Sequence, residues 1–329
     1  MAFSNTYDTT NTNPSSGVSN REDLTDILTI LAPEETPVLS SAPKSKATAT
    51  FVEWTVDSLA APVTTGVAEG SDVSAFTDKF SGRARLGNYV QKFRRDFMVS
   101  DLQDAVESVG PAKIAEAEAK SARELKRDVE ATLCSANDRT AENGAGVVYG
   151  LRGLGGWIDS AGPTDVPAAY RTPADSIHSS GSLTESGFND LITSIYRVTG
   201  STNNLTLVAD TALRRVIADY ARTSGSTNAV YRQVTQTADS KTIKLSVEMY
   251  ESDHGMVSIV NMNPDCAPDT SNKDTGYLIN PDYYGVSELI GLGSTRLPNQ
   301  GGGERGYVDT TLSLLVKHPG AHGKITAIA

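Results

Sequence analysis

The histidines are the side chains in this sequence best suited to bind a metal ion or transfer a proton near neutral pH. Two of the four, His318 and His322, lie in the segment HPGAH. On a helix, their i,i+4 spacing would direct both imidazoles at one metal ion. Pro319 and Gly320 lie between them, and both residue types disfavour a helix. We therefore expect no metal site here.

The cysteines and the glycine-rich segments lack the neighbours that catalysis or phosphate binding requires. Cys134 and Cys266 allow at most one disulfide bond, and neither has a histidine close in sequence. The segment GLRGLGGW at Gly150–Trp157 follows no apolar strand and contains no GK[ST], so we interpret it as a turn. No GxSxG or HExxH motif is present. The sequence predicts no catalytic residue, no cofactor and no metal ion.

Composition also excludes broad classes of function. The 329 residues include 29 Lys and Arg against 40 Asp and Glu, a net charge of −11. This balance opposes a general role in binding nucleic acid or anionic membranes. No apolar run approaches the roughly 20 residues of a membrane helix. Residues 1–17 have neither an apolar core nor a basic start, so we expect no secretory signal and synthesis in the cytoplasm.

The first twenty residues are predicted to form a flexible arm, because this Ser, Thr and Asn-rich segment offers little to bury. A short helix is expected at Leu24–Leu31, where leucine and isoleucine recur at helical spacing. Pro33, Pro37 and Pro43 then favour an extended path. An arm without a local core is expected to lie on another surface, as in an assembly.

Two alternating segments, Ala47–Asp57 and Arg85–Phe97, predict strands on either side of the polar segment Ala60–Gly82. They indicate a protruding two-stranded ribbon, which is marginally stable alone and needs a partner surface. The return strand and its approach carry five basic residues, Arg83, Arg85, Lys92, Arg94 and Arg95. These residues form either a solvated face or a docking face, and the sequence leaves both open.

The strongest helical pattern begins at Gly110-Pro111, with proline suited to the first turn. Its predicted buried stripe is Ala112, Ala115, Ala119, Ala122, Leu125, Val129 and Leu133. Its predicted surface pairs are Glu116–Lys120, Lys120–Glu124 and Lys126–Glu130. Just before it, Ser100 is expected to cap a helix at Asp101–Val109.

After Asn137 the chain mixes long loops, expected over Ala141–Gly181, with helices and strands. The expected helices are Thr184–Val198 and Thr211–Arg222. The expected strands are Leu205–Val208, Ile243–Met249, Val257–Val260, Tyr277–Asn280 and Leu312–Val316. No regular βαβ alternation is present, which favours an α+β fold.

Several short motifs occur in a fixed order along the chain. They are Glu22–Pro37 (EDLTDILTILAPEETP), Glu53-Trp54, Asp57-Ser58-Leu59, Glu69–Asp72, Arg85 with Asn88 and Gln91, Val99-Ser100, ELKRDVE at Glu124–Glu130, His318-Pro319 and Lys324-Ile325. Together with the order of elements, they resemble tailed-phage major capsid proteins of the HK97 fold, and specifically the SU10-type major head protein family. The resemblance covers residues 1–135 well and 315–329 fairly.

This resemblance implies a division of the chain. The parts are an N-terminal arm (1–46), an extended hairpin loop that reaches over a neighbouring subunit (47–98), a peripheral domain with the long spine helix (99–136), an axial domain around local five- and six-fold axes (137–284), and a return to the peripheral domain with C-terminal strands (285–329). Intersubunit contacts are then expected at Trp54, Lys79, Arg83, Arg85, Arg94 and Arg95. Lys79 lies where some HK97-fold capsids form a Lys–Asn isopeptide bond, but its partners are not identifiable, so non-covalent closure is expected.

The implied function is self-assembly into pentamers and hexamers of an icosahedral shell around double-stranded DNA, without sequence-specific binding and without a membrane. Expected partners are a scaffolding protein, a portal and a cement protein, with assembly in the host cytoplasm and a final place in the virion. The alternatives are an encapsulin-like nanocompartment shell, a tail-tube or other virion protein, and an α+β hydrolase with an unrecognised site.

Overall fold

The computed structural model describes residues 33–73, 75–106, 113–202, 204–220, 248–268, 274–326 and 328. The helices are α1 (Pro37–Ser41), α2 (Asp101–Ala105), α3 (Lys113–Cys134), α4 (Leu154–Trp157), α5 (Glu185–Thr199) and α6 (Thr211–Tyr220). The strands are β1 (Lys44–Lys46), β2 (Phe51–Val56), β3 (Ala84–Tyr89), β4 (Gln91–Val99), β5 (Ile177–His178), β6 (Leu205–Ala209), β7 (Met249–Ser252), β8 (Gly255–Asn261), β9 (Gly276–Ile279), β10 (Tyr284–Leu297), β11 (Glu304–Val316) and β12 (Gly323–Ile325).

These strands form a four-stranded sheet in the order β1-β10-β11-β4, a six-stranded sheet in the order β5-β12-β9-β6-β8-β7, and the separate hairpin β2-β3. The α+β prediction is confirmed. The predicted helix at Leu24–Leu31, the start of the long helix at Gly110-Pro111 and most of the predicted strand Ile243–Met249 lie outside the described residues.

The long helix α3 packs on strands β4 and β11 of the four-stranded sheet. Leu125, Val129 and Leu133 are buried there, as the stripe predicted. In the first half of the predicted stripe, Ala122 packs on the core as predicted, but Ala115 and Ala119 are exposed, so the prediction is wrong for these two. On the preceding turns, the face of α3 that contacts the core is formed instead by Ser121, Ala117 and Ile114. Positions one residue apart on a helix point about 100° apart, so the prediction followed an adjacent face.

Glu130 is wholly buried on α3 and binds the N-terminal arm, not Lys126 as the surface pairing predicted. Its carboxylate oxygens accept hydrogen bonds from the backbone N–H groups of Val38 (2.9 Å) and Leu39 (2.8 Å). These groups belong to the first turn of α1, where backbone donors have no partner within the helix. Burial raises the pKa of Glu130, and the two backbone hydrogen bonds oppose that rise.

The described part of the arm lies on its own chain. Pro37 begins α1, which corrects the predicted extended path, because proline suits the first helical turn. The amide of Asn263 donates to the carbonyl oxygens of Pro33 and Glu35 at 3.2 and 2.9 Å. Strand β1 then pairs in parallel with β10, Lys44 opposite Val286.

The six-stranded sheet carries α5 and α6, both of which were predicted. Helix α5 begins after Thr184, whose hydroxyl accepts from the Gly187 N–H, and it ends at the left-handed residue Gly200 (φ 70°). A second core, which includes Phe188, Ile192, Leu207, Val257 and Leu278, lies between these helices and the sheet.

At the end of the chain, one sequence expectation needs correction and one strand was not predicted. Strand β12 pairs with β5 and β9 in the six-stranded sheet, so 285–329 does not return as a whole to the sheet that carries α3. Strand β10 was not predicted, because Gly285, Gly291 and Gly293 interrupt its pattern and its distal half is exposed. The predicted final strand Leu312–Val316 is confirmed within β11.

We predict that Glu130→Ala lowers the free energy of unfolding by about 1–3 kcal/mol, because two buried backbone N–H groups lose their acceptor. Urea denaturation followed by circular dichroism measures the change. The control is Lys126→Ala, an exposed neighbour that should change stability by less than about 0.5 kcal/mol. Equal effects of the two variants would instead support the predicted surface pair.

His322 gives a second prediction. It is wholly buried; its Nδ1 accepts from the Asn280 N–H at 3.2 Å, and its Nε2 lies 3.4 Å from the Tyr283 carbonyl oxygen. Burial lowers its pKa from 6.5 to about 4. Between these values the unfolded chain binds a proton that the folded chain does not, so stability falls as the pH is lowered through this window, by up to about 1.4 kcal/mol per pH unit.

The measurement is the free energy of unfolding between pH 7 and 4 for the parent chain and for His322→Gln. The variant should show the shallower dependence, since the paired carboxylates contribute equally to both chains. A parallel dependence in the two chains would show that another group is responsible.

Candidate intersubunit surface: the hairpin and its root

The predicted ribbon exists, but its return strand is divided. Strand β2 pairs antiparallel with β3 from Phe51 opposite Tyr89 to Val56 opposite Ala84. After the single residue Val90 the chain enters β4, which pairs with β11 in the four-stranded sheet. The prediction of one strand over Arg85–Phe97 was therefore wrong, because alternation of side chains continues through a change of sheet partner.

The paired strands of the hairpin lie against residues of their own chain, which corrects the expectation of a free ribbon. The ring of Trp54 lies 5.6 Å from that of Trp157 in α4. The hydroxyl of Tyr170 donates to the Gly82 carbonyl oxygen at 2.5 Å. Val56 and Leu86 are buried. The described residues of the loop between the paired strands, 57–73 and 75–83, are exposed.

At the root of the hairpin, two side chains bind the backbone of Leu151 and Arg152. The Asn88 amide nitrogen donates to the carbonyl oxygens of Arg152 (3.1 Å) and Leu314 (2.9 Å). The Asn88 side-chain oxygen accepts from the Arg152 N–H at 2.8 Å. The Gln91 side-chain oxygen accepts from the Leu151 N–H at 3.1 Å. We call Asn88, Gln91 and Arg152 the root bracket.

The guanidinium of Arg152 is 1 % exposed and is held by two carboxylates. It donates to Asp138 at 2.6 Å and to Asp165 at 2.7 and 3.2 Å, and it lies 4.7 Å from the centroid of the Trp157 ring. Burial alone would raise the pKa of Asp165, but hydrogen bonding and charge from Arg152 lower it overall, helped by Arg139. No sequence pattern predicted this cluster, apart from the motif that includes Asn88 and Gln91.

Most of the basic residues expected to dock on a neighbour are paired within the chain. Arg83 bonds Asp57 at 2.8 Å, and this hydrogen bond is the main cause of the lowered pKa of Asp57. Arg85 lies 3.6 Å from Glu53. These pairs balance the charge along the hairpin strands.

The other two arginines lie on β4, away from the hairpin. Arg95 bonds Asp128 of α3 through two nitrogens, at 2.6 and 2.8 Å. Within the described ranges, Arg94 forms no ion pair and lies 6.0 Å from the Tyr307 ring centroid. Trp54, Arg83 and Arg85 are thus together on the hairpin, and Lys79 is exposed in its loop. Their role in contacts between subunits remains a prediction.

The loop between β2 and β3 exposes a series of large apolar side chains. Leu59 is 100 % exposed, Phe76 91 % and Val67 86 %. The complete set, which we call the apolar loop, is Leu59, Val63, Val67, Val73, Phe76 and Phe80. The sequence predicted this segment only as a polar connection between two strands. The signal available was the recurrence of single apolar residues among Gly, Ser and Thr.

Other groups of chemical interest among the described residues include the possible metal ligands, Gly153 and Cys134. The described His, Cys, Asp and Glu side chains include no group that could hold a metal ion. Gly153 lies against the end of α3, where a Cβ atom would clash with the carbonyl oxygens of Thr132 and Ser135, so its role is close packing. Cys134 is buried, and burial raises its pKa well above the ordinary thiol range. None of the helices in the described ranges has the length and apolarity to span a membrane.

The chain matches a known protein family over nearly its whole length. The family model described as SU10 major capsid protein matches residues 3–329. No curated protein sequence matches the chain.

Solved structures with a similar fold include the capsid of cyanophage A-1(L), with 14 % identity, a TM-score of 0.63 and coverage of 96 % of this chain and 99 % of that one. The capsid of a native GTA particle has 14 % identity, a TM-score of 0.61 and coverage of 96 % and 98 %. Mycobacterium phage Bobi has 10 % identity, a TM-score of 0.60 and coverage of 94 % and 97 %. At these identities the similarity establishes the fold.

The neighbouring arginines of β4 provide a matched pair of variants. We predict that Arg95→Gln lowers the free energy of unfolding of the subunit by about 1 kcal/mol, because a two-nitrogen ion pair with Asp128 is lost. Arg94→Gln should change it by less than about 0.5 kcal/mol. Urea denaturation of the two variants measures both values. Equal losses would contradict the assignment of Arg95 to the contact between β4 and α3.

Proposed function

The chain belongs to the SU10 major capsid protein family, and on that premise we propose that its copies assemble as pentamers and hexamers into an icosahedral shell around double-stranded DNA. As a major capsid protein it is a structural protein of the virion and not an enzyme.

The apolar loop is the observation that carries the assembly proposal. Its six large apolar side chains are 63 to 100 % exposed in the single chain. An apolar surface of this kind on a soluble protein marks a site for contact with another protein. Burying six such side chains contributes roughly 10 kcal/mol before the entropy of association is subtracted. Each copy that covers a neighbour's loop has its own loop covered by the next copy.

A contact between two different surfaces of the same chain closes into rings when the rotation between copies permits. The apolar loop and the surface that covers it on a neighbouring copy are two such different surfaces. Their contact accounts for pentamers and hexamers from one sequence. The charge of −11 opposes tight binding of the inner wall to DNA. Enclosure without sequence-specific contacts follows from that balance.

The remaining partners are proposed from family membership. A scaffolding protein and a portal act during assembly in the host cytoplasm, and a cement protein can reinforce the finished shell. Membership in a capsid family favours this function over an encapsulin-like compartment, and analysis of the enclosed cargo distinguishes the two. The contacts of Trp54, Lys79, Arg83, Arg85 and Arg94 between subunits belong to the same proposal, and Arg95 contributes by holding β4 on α3.

We predict that the chain expressed alone, or with a head scaffolding protein, forms capsomers or closed particles in negative-stain microscopy and light scattering. The double variant Val67→Asp with Phe76→Asp should remain monomeric, because charges replace exposed apolar side chains. Its stability as a subunit should change by less than about 0.5 kcal/mol.

The control is Thr65→Asp, which adds a charge in the same exposed loop without removing an apolar side chain. This variant should assemble. Assembly of the double variant at wild-type efficiency would show that the apolar loop is not part of the interface between subunits. A parent chain that stays monomeric even with scaffold would contradict the assembly proposal itself.

A further inference from the structure

The hairpin is joined to the four-stranded sheet by very little backbone. A single residue, Val90, separates the end of β3 from the start of β4. The other connection, residues 47–50, also lies outside any strand. A one-residue connection can change direction through its own two backbone dihedral angles. Val90 is buried and its N–H donates to the Thr50 carbonyl oxygen at 2.9 Å, which ties the two connections to each other. Side-chain contacts on either side of Val90 are needed to fix the direction of the hairpin relative to the sheet.

Asn88 provides these contacts on the hairpin side of Val90. Its side chain is wholly buried, and its three hydrogen bonds reach two other parts of the chain. Leu314 belongs to β11 of the four-stranded sheet, and Arg152 belongs to the segment before α4. Both amide protons and the amide oxygen are used, and only asparagine combines these donors and this acceptor at this length.

Gln91 provides the matching contact on the sheet side. Its side-chain oxygen holds the Leu151 N–H, adjacent to the residue that Asn88 holds. The two residues that flank Val90 at positions 88 and 91 therefore bind consecutive residues of one segment. This explains why Asn88 and Gln91 occur together in a motif that the assembly function does not use directly.

Arg152 keeps that segment in place. Its buried guanidinium is bound to Asp138 and Asp165, and it lies over the Trp157 ring. Trp157 in turn contacts the hairpin, because its ring centroid lies 5.6 Å from that of Trp54 on β2. The ion pairs of Arg152 with Asp138 and Asp165 involve no residue of the hairpin, so they anchor the segment as a reference for its direction.

We propose that the root bracket is a positioning device that sets the direction of the hairpin relative to the four-stranded sheet, and thereby the curvature of the assembled shell. The second half of this statement rests on the proposed function. The first half concerns the single subunit and can be tested without assembly.

The test is a distance measurement by double electron–electron resonance. Spin labels are attached at Thr55→Cys on β2 and Thr295→Cys on β10, both of which are exposed. Cys134 and Cys266 are buried and stay unlabelled under native conditions. The parent chain should give one narrow distance distribution. In Asn88→Ala and Gln91→Ala the distribution should broaden and shift, because the hairpin loses its fixed direction.

The control is Arg83→Gln, which breaks an exposed ion pair of the hairpin and leaves the root bracket intact. It should keep the parent distribution. Circular dichroism establishes that each variant is folded. If Asn88→Ala does not fold, the test rests on Gln91→Ala, because this substitution leaves only one backbone N–H, that of Leu151, without its acceptor. A folded Gln91→Ala with the parent distribution overturns the proposal.

Assembly supplies the second readout. Folded bracket variants should form particles with a wider spread of diameters than the parent, whereas Arg83→Gln should form particles of the parent diameter. Uniform parent-sized particles from variants with an altered distance distribution would overturn the link to curvature. A parent chain that forms no particles would contradict the proposed function and leave the distance result valid.

Discussion

The pairing of the buried Arg152 guanidinium with Asp138 and Asp165 is the interaction on which the arrangement of the molecule depends. A guanidinium removed from water requires opposite charges nearby, and leaving it unpaired costs about 3–5 kcal/mol. Asp138 follows the end of α3, and Asp165 lies in the long loops that lead to the six-stranded sheet. Pairing both with Arg152 brings these parts together beside the hairpin. The same residue then presents its backbone to Asn88.

The two cores of the protein are joined by a second buried contact. The hydroxyl of Tyr277, on β9 of the six-stranded sheet, donates to the Cys134 carbonyl oxygen at 2.7 Å, at the end of α3. Tyr277 packs in the same core as Leu133 and Trp157. The boundary between the parts that carry the two sheets is therefore filled with side chains, and the described residues on both sides support each other.

The sequence predicted the elements whose signals are local. Helix α5 has a threonine cap and a terminal glycine, and the second half of α3 has a clear apolar stripe. What it could not predict were features decided by distant partners. The change of sheet at Val90 leaves side-chain alternation intact, and the burial of Glu130 depends on backbone donors 92 residues earlier. The root bracket was visible only as motif residues without a stated role, since Asn88 and Arg152 are 64 positions apart.

The four-stranded sheet draws its strands from both ends of the chain, which has a consequence for synthesis on the ribosome. Lys44 in β1 pairs with Val286, and the Asn88 side chain needs the carbonyl of Leu314, 226 positions later. Contacts this distant in sequence form slowly and only after the later residues have been translated. A prematurely terminated chain thus lacks the Leu314 carbonyl oxygen that Asn88 binds and the strands that pair with β1 and β4. Neither the four-stranded sheet nor the contact of the hairpin with it can form before the C-terminal strands are made.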